Sequence, residues 1–154
     1  MIYCTSKVMK VLVDHNADVN VKNTHGYFPL HWAALNNHVS MVEAIAKHGG
    51  VLDCKDKFGS TPLHWCADAG SEGALKALLR LSAKVSAANK NGETPLHWAA
   101  SEGRSKCVAE LVRAGADVAQ KTTYTPKTAM QLAEANGHSK TLNLLKRMQE
   151  GAGD

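Results

Sequence analysis

Aromatic residues make up only 5% of this 154-residue chain, and no apolar run approaches the roughly 18 residues that a membrane span needs. The first ten residues are too polar for the apolar core of a secretory signal. The net charge of +4 is too small to indicate a nucleic-acid-binding protein by itself. With 44% hydrophobic and 21% charged residues, the chain is typical of a globular protein, which we expect in the cytoplasm, the nucleus or both.

Cysteine is sparse as well, and its spacing excludes two kinds of site. The four cysteines lie far apart, so the chain has no Cys-x-x-Cys pair for zinc or redox chemistry. A disulfide framework is typical of shorter secreted chains with a higher density of cysteine. We therefore expect reduced thiols.

The motifs of common enzymes are also missing. The chain has no Gly-x-Ser-x-Gly, no phosphate-binding Gly-rich loop and no His-Glu-x-x-His. We predict that the chain is not an enzyme and that it uses no cofactor and no metal.

What the chain does contain is a repeat of 33 residues. The segment 28–34 (FPLHWAA) returns as 61–67 (TPLHWCA) and again as 94–100 (TPLHWAA). A glycine three positions before each proline keeps the same period. A second marker, which begins at positions 16, 49, 82 and 115, stays in phase with the first. Chance agreement of two markers over more than 100 residues is very improbable, so the repeat reflects a repeated unit of structure.

A Thr-Pro-Leu-His-x-Ala motif at this period resembles the ankyrin repeat family, and the resemblance extends over about residues 5–148. It implies an all-α solenoid of stacked helix-turn-helix units joined by β-hairpin-like loops, with about four and a half repeats and a truncated first repeat. We expect a single ankyrin-repeat domain over residues 1–154, with a partial repeat at 1–23, full repeats at 24–56, 57–89 and 90–122, a C-terminal capping repeat at 123–149 and a tail at 150–154.

The residues of each unit predict where its helices begin and end. Proline fits the first turn of a helix, and the threonine before it, Thr61 or Thr94, suits the N-cap. Phe28 departs from this pattern and predicts a weaker cap. First helices are therefore expected at 29–36, 62–69 and 95–102. Glycine in a left-handed C-cap is expected after them, with asparagine in its place in one repeat; these positions are Asn37, Gly70, Gly103 and Gly137.

The two ends of the array differ. A second helix of the first repeat is expected at about 6–15, and it would leave an apolar face uncovered at the N-terminal end. Either the chain is a fragment of a longer protein, or this face packs on a partner or on a second copy of the chain. In the last repeat, Thr128-Ala129-Met130-Gln131 replaces the motif with a phase shift of one residue. A final helix with a polar outer side is expected at about 139–149.

Three histidines recur at a constant spacing, which has a structural explanation. His31, His64 and His97 occur once per repeat, and stacked helices lie about 8–10 Å apart. They cannot share one metal, whose ligands lie roughly 2 Å from the ion. The resemblance implies instead that each histidine bonds to the adjacent threonine, Thr61 or Thr94, and to the turn backbone. Gln131 is expected to take this role in the last repeat.

The same resemblance assigns binding to the concave side, formed by the hairpin tips and the exposed side of each first helix. Lysines recur at the tips among aromatic residues, opposed only by Asp56 and Glu93. This pattern favours a partner with an acidic segment, although the lysines could equally serve only to keep exposed hairpins soluble.

A row of tryptophans follows the histidines and forms the second candidate surface. Each tryptophan either binds a partner or packs against the neighbouring repeat. Beside this row the groove floor is neutral to acidic, which suggests a partner of mixed charge. The candidate partner-binding residues are Lys22, His25, Tyr27, Trp32, Lys55, Lys57, Phe58, Trp65, Asp68, Lys90, Asn91, Glu93, Trp98, Glu102 and Tyr124.

The leading hypothesis is a non-catalytic module or adaptor that binds another protein through its concave face and hairpin tips. One alternative is the targeting repeat domain of a larger enzyme or signalling protein. The other is binding of a nucleic acid or nucleotide along the basic hairpin edge. The repeat pattern specifies the scaffold and leaves the partner to variable surface positions.

Overall fold

The computed structural model describes residue 15 and residues 17–151. Within them the chain forms eight α-helices and no β-strand. The helix expected at about 6–15 lies outside the described residues, apart from His15. The helices form four pairs: α1 (Pro29–Leu35) with α2 (Val39–Lys47), α3 (Pro62–Ala69) with α4 (Glu72–Arg80), α5 (Pro95–Ser101) with α6 (Ser105–Arg113), and α7 (Ala129–Ala135) with α8 (Ser139–Gly151).

The first helices of the pairs pack side by side in one row, and the second helices form a parallel second row. The leucine that follows each motif proline is almost completely buried between the rows, at Leu30, Leu63 and Leu96. Leu75 and Val108 of the second row are fully buried against the same core. Each pair thus buries its apolar face only by stacking on its neighbours. The predicted all-helical solenoid is confirmed.

The loops that precede the first helices are hairpin-like, as predicted. Each is closed by a backbone bond between its two ends, such as that from the Asp56 N–H to the Ser60 carbonyl at 3.0 Å. Neighbouring tips are also bonded to each other: Lys90 N–H donates to the Phe58 carbonyl at 3.0 Å and Thr123 N–H to the Asn91 carbonyl at 2.9 Å. The tips therefore form one continuous edge along the stack.

The turn between the two helices of a pair takes the left-handed conformation that the sequence predicts. Gly70 has a φ of +76°, and Asn37 adopts the same region at +56°. The Asn37 side chain also accepts a hydrogen bond from the Ala74 N–H of the next repeat at 2.8 Å. Asparagine thus provides the turn and, in addition, a cap for the N-terminus of α4.

Helix ends differ from the prediction by one or two residues. α1 and α5 end at Leu35 and Ser101, because Asn36 and Glu102 take the C-cap positions. α8 continues to Gly151, two residues beyond its expected end. Boundaries of this kind vary by a residue or two even between well-defined helices.

None of the helices in the described residues has the length and apolar character of a membrane span.

Candidate functional site

Each motif histidine bonds to its own repeat, as predicted, and also to the next one. His64 Nδ1 accepts hydrogen bonds from the Thr61 N–H at 3.1 Å and from the Thr61 hydroxyl at 2.9 Å. Its Nε2 donates to the Glu93 carbonyl at 2.9 Å. His97 makes the same two bonds with Thr94. The local role of the histidines is confirmed, whereas the bond between repeats was not predicted.

His31 differs because Phe28 carries no hydroxyl. The Phe28 N–H donates to His31 Nδ1 at 3.3 Å, a longer bond than in the other repeats. The Cys54 thiol lies 3.9 Å from the same nitrogen and takes the place of the missing hydroxyl as a donor. Burial raises the pKa of Cys54 to about 12, so the thiol keeps its proton. His31 Nε2 still reaches the next repeat, at the Ser60 carbonyl 3.0 Å away.

Burial also keeps the three imidazoles neutral. It lowers the pKa of His31, His64 and His97, and that of His64 falls to about 4. A neutral ring with its proton on Nε2 matches the observed bonds, because the carbonyl accepts and Nδ1 has to accept as well. These histidines therefore hold repeats together. Among the described residues, no three His, Cys, Asp or Glu side chains lie close enough to hold a metal ion.

Gln131 replaces the histidine in the last repeat, as expected. Its Oε1 accepts from the Thr128 N–H at 2.9 Å, and the Gln131 N–H donates to the Thr128 hydroxyl at 3.3 Å. This reciprocal pair is a capping box at the start of α7.

The turns at the hairpin tips depend on an Asn or Asp side chain whose role in the turn the sequence analysis did not predict. Asp56 Oδ1 accepts from the Phe58 N–H at 2.8 Å and from the Ser60 N–H at 2.9 Å. Asn23 and Asn89 make the same pair of bonds in their repeats. The signal was available, since an Asn or Asp stands three residues before each tip glycine with a period of 33.

Asp56 is buried, with 7% of its surface exposed. Its carboxylate points into its own turn, where Oδ1 accepts two backbone N–H groups. Glu93 is half-buried, and its Oε2 accepts from the Asn89 side chain at 2.8 Å and from the Trp98 indole at 3.0 Å. Among the described residues, neither carboxylate forms an ion pair with a tip lysine.

Two members of the tryptophan row are held between repeats. Trp65 donates from Nε1 to Asp56 Oδ2 at 3.1 Å, and its ring meets His31 edge-on with the centroids 5.3 Å apart. Trp98 packs in the same way on His64 at 5.4 Å. Both are half-buried, whereas Trp32 is 50% exposed. Packing thus accounts for the position of Trp65 and Trp98, and it leaves Trp32 and the outer faces of the other rings accessible.

The lysines of the hairpin tips are exposed, and some of them contact neighbouring tip residues. Phe58 is 56% and Tyr124 is 78% exposed, at equivalent positions of two repeats. Lys57 Nζ lies 4.9 Å from the centroid of the Phe58 ring. Lys90 Nζ donates to the Lys57 carbonyl at 2.6 Å. Further exposed tip residues are Lys55, Asn91, Lys121 and Lys127.

At the N-terminal end of the edge, a smaller group of rings comes together. The His25 and Tyr27 rings stack with their centroids 6.2 Å apart, and Tyr27 also meets Trp65 edge-on at 4.8 Å. Lys22 Nζ lies 5.2 Å from the Phe28 ring centroid. His25 and Lys22 are exposed, so this group continues the edge toward the first repeat.

On the groove floor, Asp68 and Glu102 are exposed near the ends of α3 and α5. Together with Glu93 and Trp98 they line a cavity of about 280 Å³. The structure thus brings together four of the residues proposed from the sequence.

Comparison with known protein families finds a model of ankyrin repeats, which matches three times, over residues 1–89, 48–122 and 81–152. No curated protein is similar enough to the sequence to match. Ankyrin repeats are generally modules of protein interaction without catalytic activity. Since the matches extend over nearly the whole chain, it belongs to the ankyrin repeat family.

Proposed function

We propose that this chain binds a partner protein that places an acidic segment along the hairpin tips. The observation that carries the proposal is the exposure of Phe58 and Tyr124 on an edge where the exposed charged side chains are lysines. Exposed aromatic rings are enriched at the centres of protein interfaces. Lysines beside them attract negative charge and steer its approach.

The charge of the edge supports an acidic partner further. Asp56 and Glu93 are the acidic residues of the four tips, and their carboxylates accept hydrogen bonds from the Ser60 N–H and the Trp98 indole, respectively. The lysines Lys55, Lys121 and Lys127 remain exposed beside them. Because the tips are joined by backbone bonds, these charges are held at fixed intervals along the stack. A rigid basic edge of this kind suits an extended acidic segment.

The experiment that tests the proposal reverses the charge of the edge and removes one ring. The immobilised protein retains partners from an extract, and the affinity of each purified partner is then measured by calorimetry. The Lys57→Glu/Phe58→Ala/Lys90→Glu variant is expected to bind the cognate partner with an affinity at least about tenfold lower, since several interface contacts are lost together. Its circular dichroism spectrum verifies that the repeats still fold.

A matched control carries equivalent changes away from the edge. Lys84→Glu/Lys140→Glu/Val51→Ala alters three exposed residues outside the tips and should leave the affinity within about twofold of the original, since distant surface charges are largely screened. Equal binding by the tip variant and the unaltered protein would exclude the edge as the binding surface. Specific binding of a single-stranded RNA with a steep salt dependence would instead favour a nucleic-acid partner.

A further inference from the structure

The cavity on the groove floor exists because the tryptophan row is interrupted. Trp65 packs on His31, and Trp98 packs on His64, one repeat earlier in each case. In the last repeat the position of the tryptophan is taken by Leu132, so no ring packs on His97. A shorter side chain leaves space where the earlier repeats place an indole, and the cavity of about 280 Å³ opens between Trp98 and Leu132.

The walls of this cavity differ in character from the tips. Trp98 and Leu132 provide its apolar part, and the carboxylates of Asp68, Glu93 and Glu102 lie around it. Among the described residues, none of these three carboxylates forms an ion pair. Arg104 lies near Asp68, but its Nε donates to the backbone carbonyl of Asp68 at 2.9 Å. Arg104 does not line the cavity.

The acidic side chains affect one another. The pKa of Asp68 is raised by partial burial and by the negative charge of Glu102, and Arg104 offsets this only in part. A cation placed between the two carboxylates would relieve their repulsion. The apolar walls restrict the shape of that cation, because one side of it has to lie against an aromatic ring.

We propose that this cavity binds the guanidinium group of an arginine side chain from the partner protein, a proposal that rests on the function proposed above. Arginine stacks on an aromatic face and its planar donors reach two carboxylates at once, whereas the compact ammonium of lysine does less of both. Trp98 offers the ring, and Asp68 and Glu102 offer the carboxylates. The partner would then place acidic residues on the tips and a basic residue on the groove floor.

The test uses the whole protein labelled with ¹⁵N and a small probe, N-acetyl-arginine amide. The indole N–H signal of Trp98 is assigned by its loss in Trp98→Phe, and its shift is followed as the probe is added. We expect a saturable shift with the arginine probe and no saturable shift with the uncharged citrulline analogue. The lysine analogue is expected to bind at least about threefold more weakly, because it cannot stack as a plane.

Two variants test whether the probe binds within the cavity. Asp68→Asn/Glu102→Gln keeps the shape of both exposed side chains. It should lower the affinity for the probe at least about fivefold, since two charge-assisted contacts are lost. Leu132→Trp restores the indole of the earlier repeats and should abolish the saturable shift. The control Asp117→Asn/Glu134→Gln changes the net charge equally at exposed positions outside the cavity and should leave binding unaltered.

Absence of a saturable shift, or an equal response to citrulline, would overturn the proposal. Equal weakening in both double variants would do so too, because it would show a general effect of charge. An equal response to lysine would overturn the assignment to arginine. Since Lys57, Phe58 and Lys90 do not line the cavity, these results are independent of the tip variant. A partner that still requires Lys57 and Lys90 would then preserve the proposed function without the cavity.

Discussion

His64 joins two repeats, because its ring accepts two hydrogen bonds from Thr61 and donates one to the carbonyl of Glu93, 29 residues further along the chain. This arrangement requires a neutral imidazole. A protonated ring carries a hydrogen on both nitrogens, so Nδ1 can no longer accept from Thr61. The two bonds from Thr61 therefore require the neutral ring, whereas the Nε2 bond to the Glu93 carbonyl is made by either form.

The first prediction is that the protein loses stability as the pH falls below neutrality. The pKa of His64 is about 4 in the folded chain and 6.5 in its ordinary state. Below pH 6.5 the unfolded chain takes up a proton that folded His64 does not, so the free energy of unfolding decreases until the pH approaches 4. His64 alone should account for a loss of roughly 2 kcal/mol at pH 5. Urea unfolding at pH 7.5 and pH 5.0 measures it.

A glutamine variant separates His64 from the other titrating groups. His64→Gln retains an acceptor for the Thr61 N–H, as Gln131 does for Thr128. It should lower stability at pH 7.5 by about 1–2 kcal/mol, since the bond to Glu93 is lost. The same variant should lose less stability between pH 7.5 and 5.0 than the unaltered protein. His38→Gln, at an exposed position, should keep the original pH dependence. An equal pH dependence in both variants would contradict a special role of His64.

Much of this fold follows from the sequence because the repeat period constrains it. Pro62 and Pro95 mark the starts of two helices, and Gly70 and Gly103 take the left-handed turns predicted for them. These signals are local, since proline restricts its own backbone and glycine tolerates a positive φ. A period of 33 then determines how the units stack. The roles of the motif histidines within their repeats were implied by the resemblance to the ankyrin family.

The direction of individual side chains was not predictable. Asp56 and Lys57 are neighbours with opposite charges, yet the first is buried in its turn and the second lies on the surface. The cavity was equally hidden, because it arises where Leu132 meets His97 and Trp98 from another repeat. Contacts between repeats combine residues about 30 positions apart, and the pattern of one repeat does not specify them.

The second prediction concerns the buried carboxylate of Asp56. Its Oδ1 accepts two backbone N–H groups, and its Oδ2 accepts the indole N–H of Trp65. In Asp56→Asn the amide oxygen can keep the backbone bonds, but the amino group then faces the Trp65 N–H and two donors meet. We expect a loss of about 1–3 kcal/mol in the free energy of unfolding and a change in tryptophan fluorescence.

The neighbouring repeat shows how an amide is accommodated at this position. Asn89 donates to Glu93, and Glu93 in turn accepts from Trp98. Ser60 occupies the place of Glu93 in the repeat of Asp56, so no second carboxylate is present there. Asp117→Asn provides the control, because this exposed carboxylate accepts one backbone bond that asparagine can also accept. If Asp56→Asn were as stable as that control, the bond to Trp65 would contribute nothing.

The third prediction compares two glycines with the same backbone and different surroundings. Gly103 and Gly137 have φ values of +67° and +75°, so alanine is strained at either position by about 1 kcal/mol. A Cβ on Gly103 would lie 2.6 Å from Nδ1 of the His138 ring, whereas a Cβ on Gly137 would meet no atom within 4 Å. Gly103→Ala should therefore cost roughly 1 kcal/mol more than Gly137→Ala in urea unfolding, because the ring has to move. Adding His138→Ala should remove most of that difference, since it takes away the ring and leaves the backbone strain. A difference that persisted in the double variant would show that the contact between Gly103 and His138 does not limit how closely the last two repeats pack.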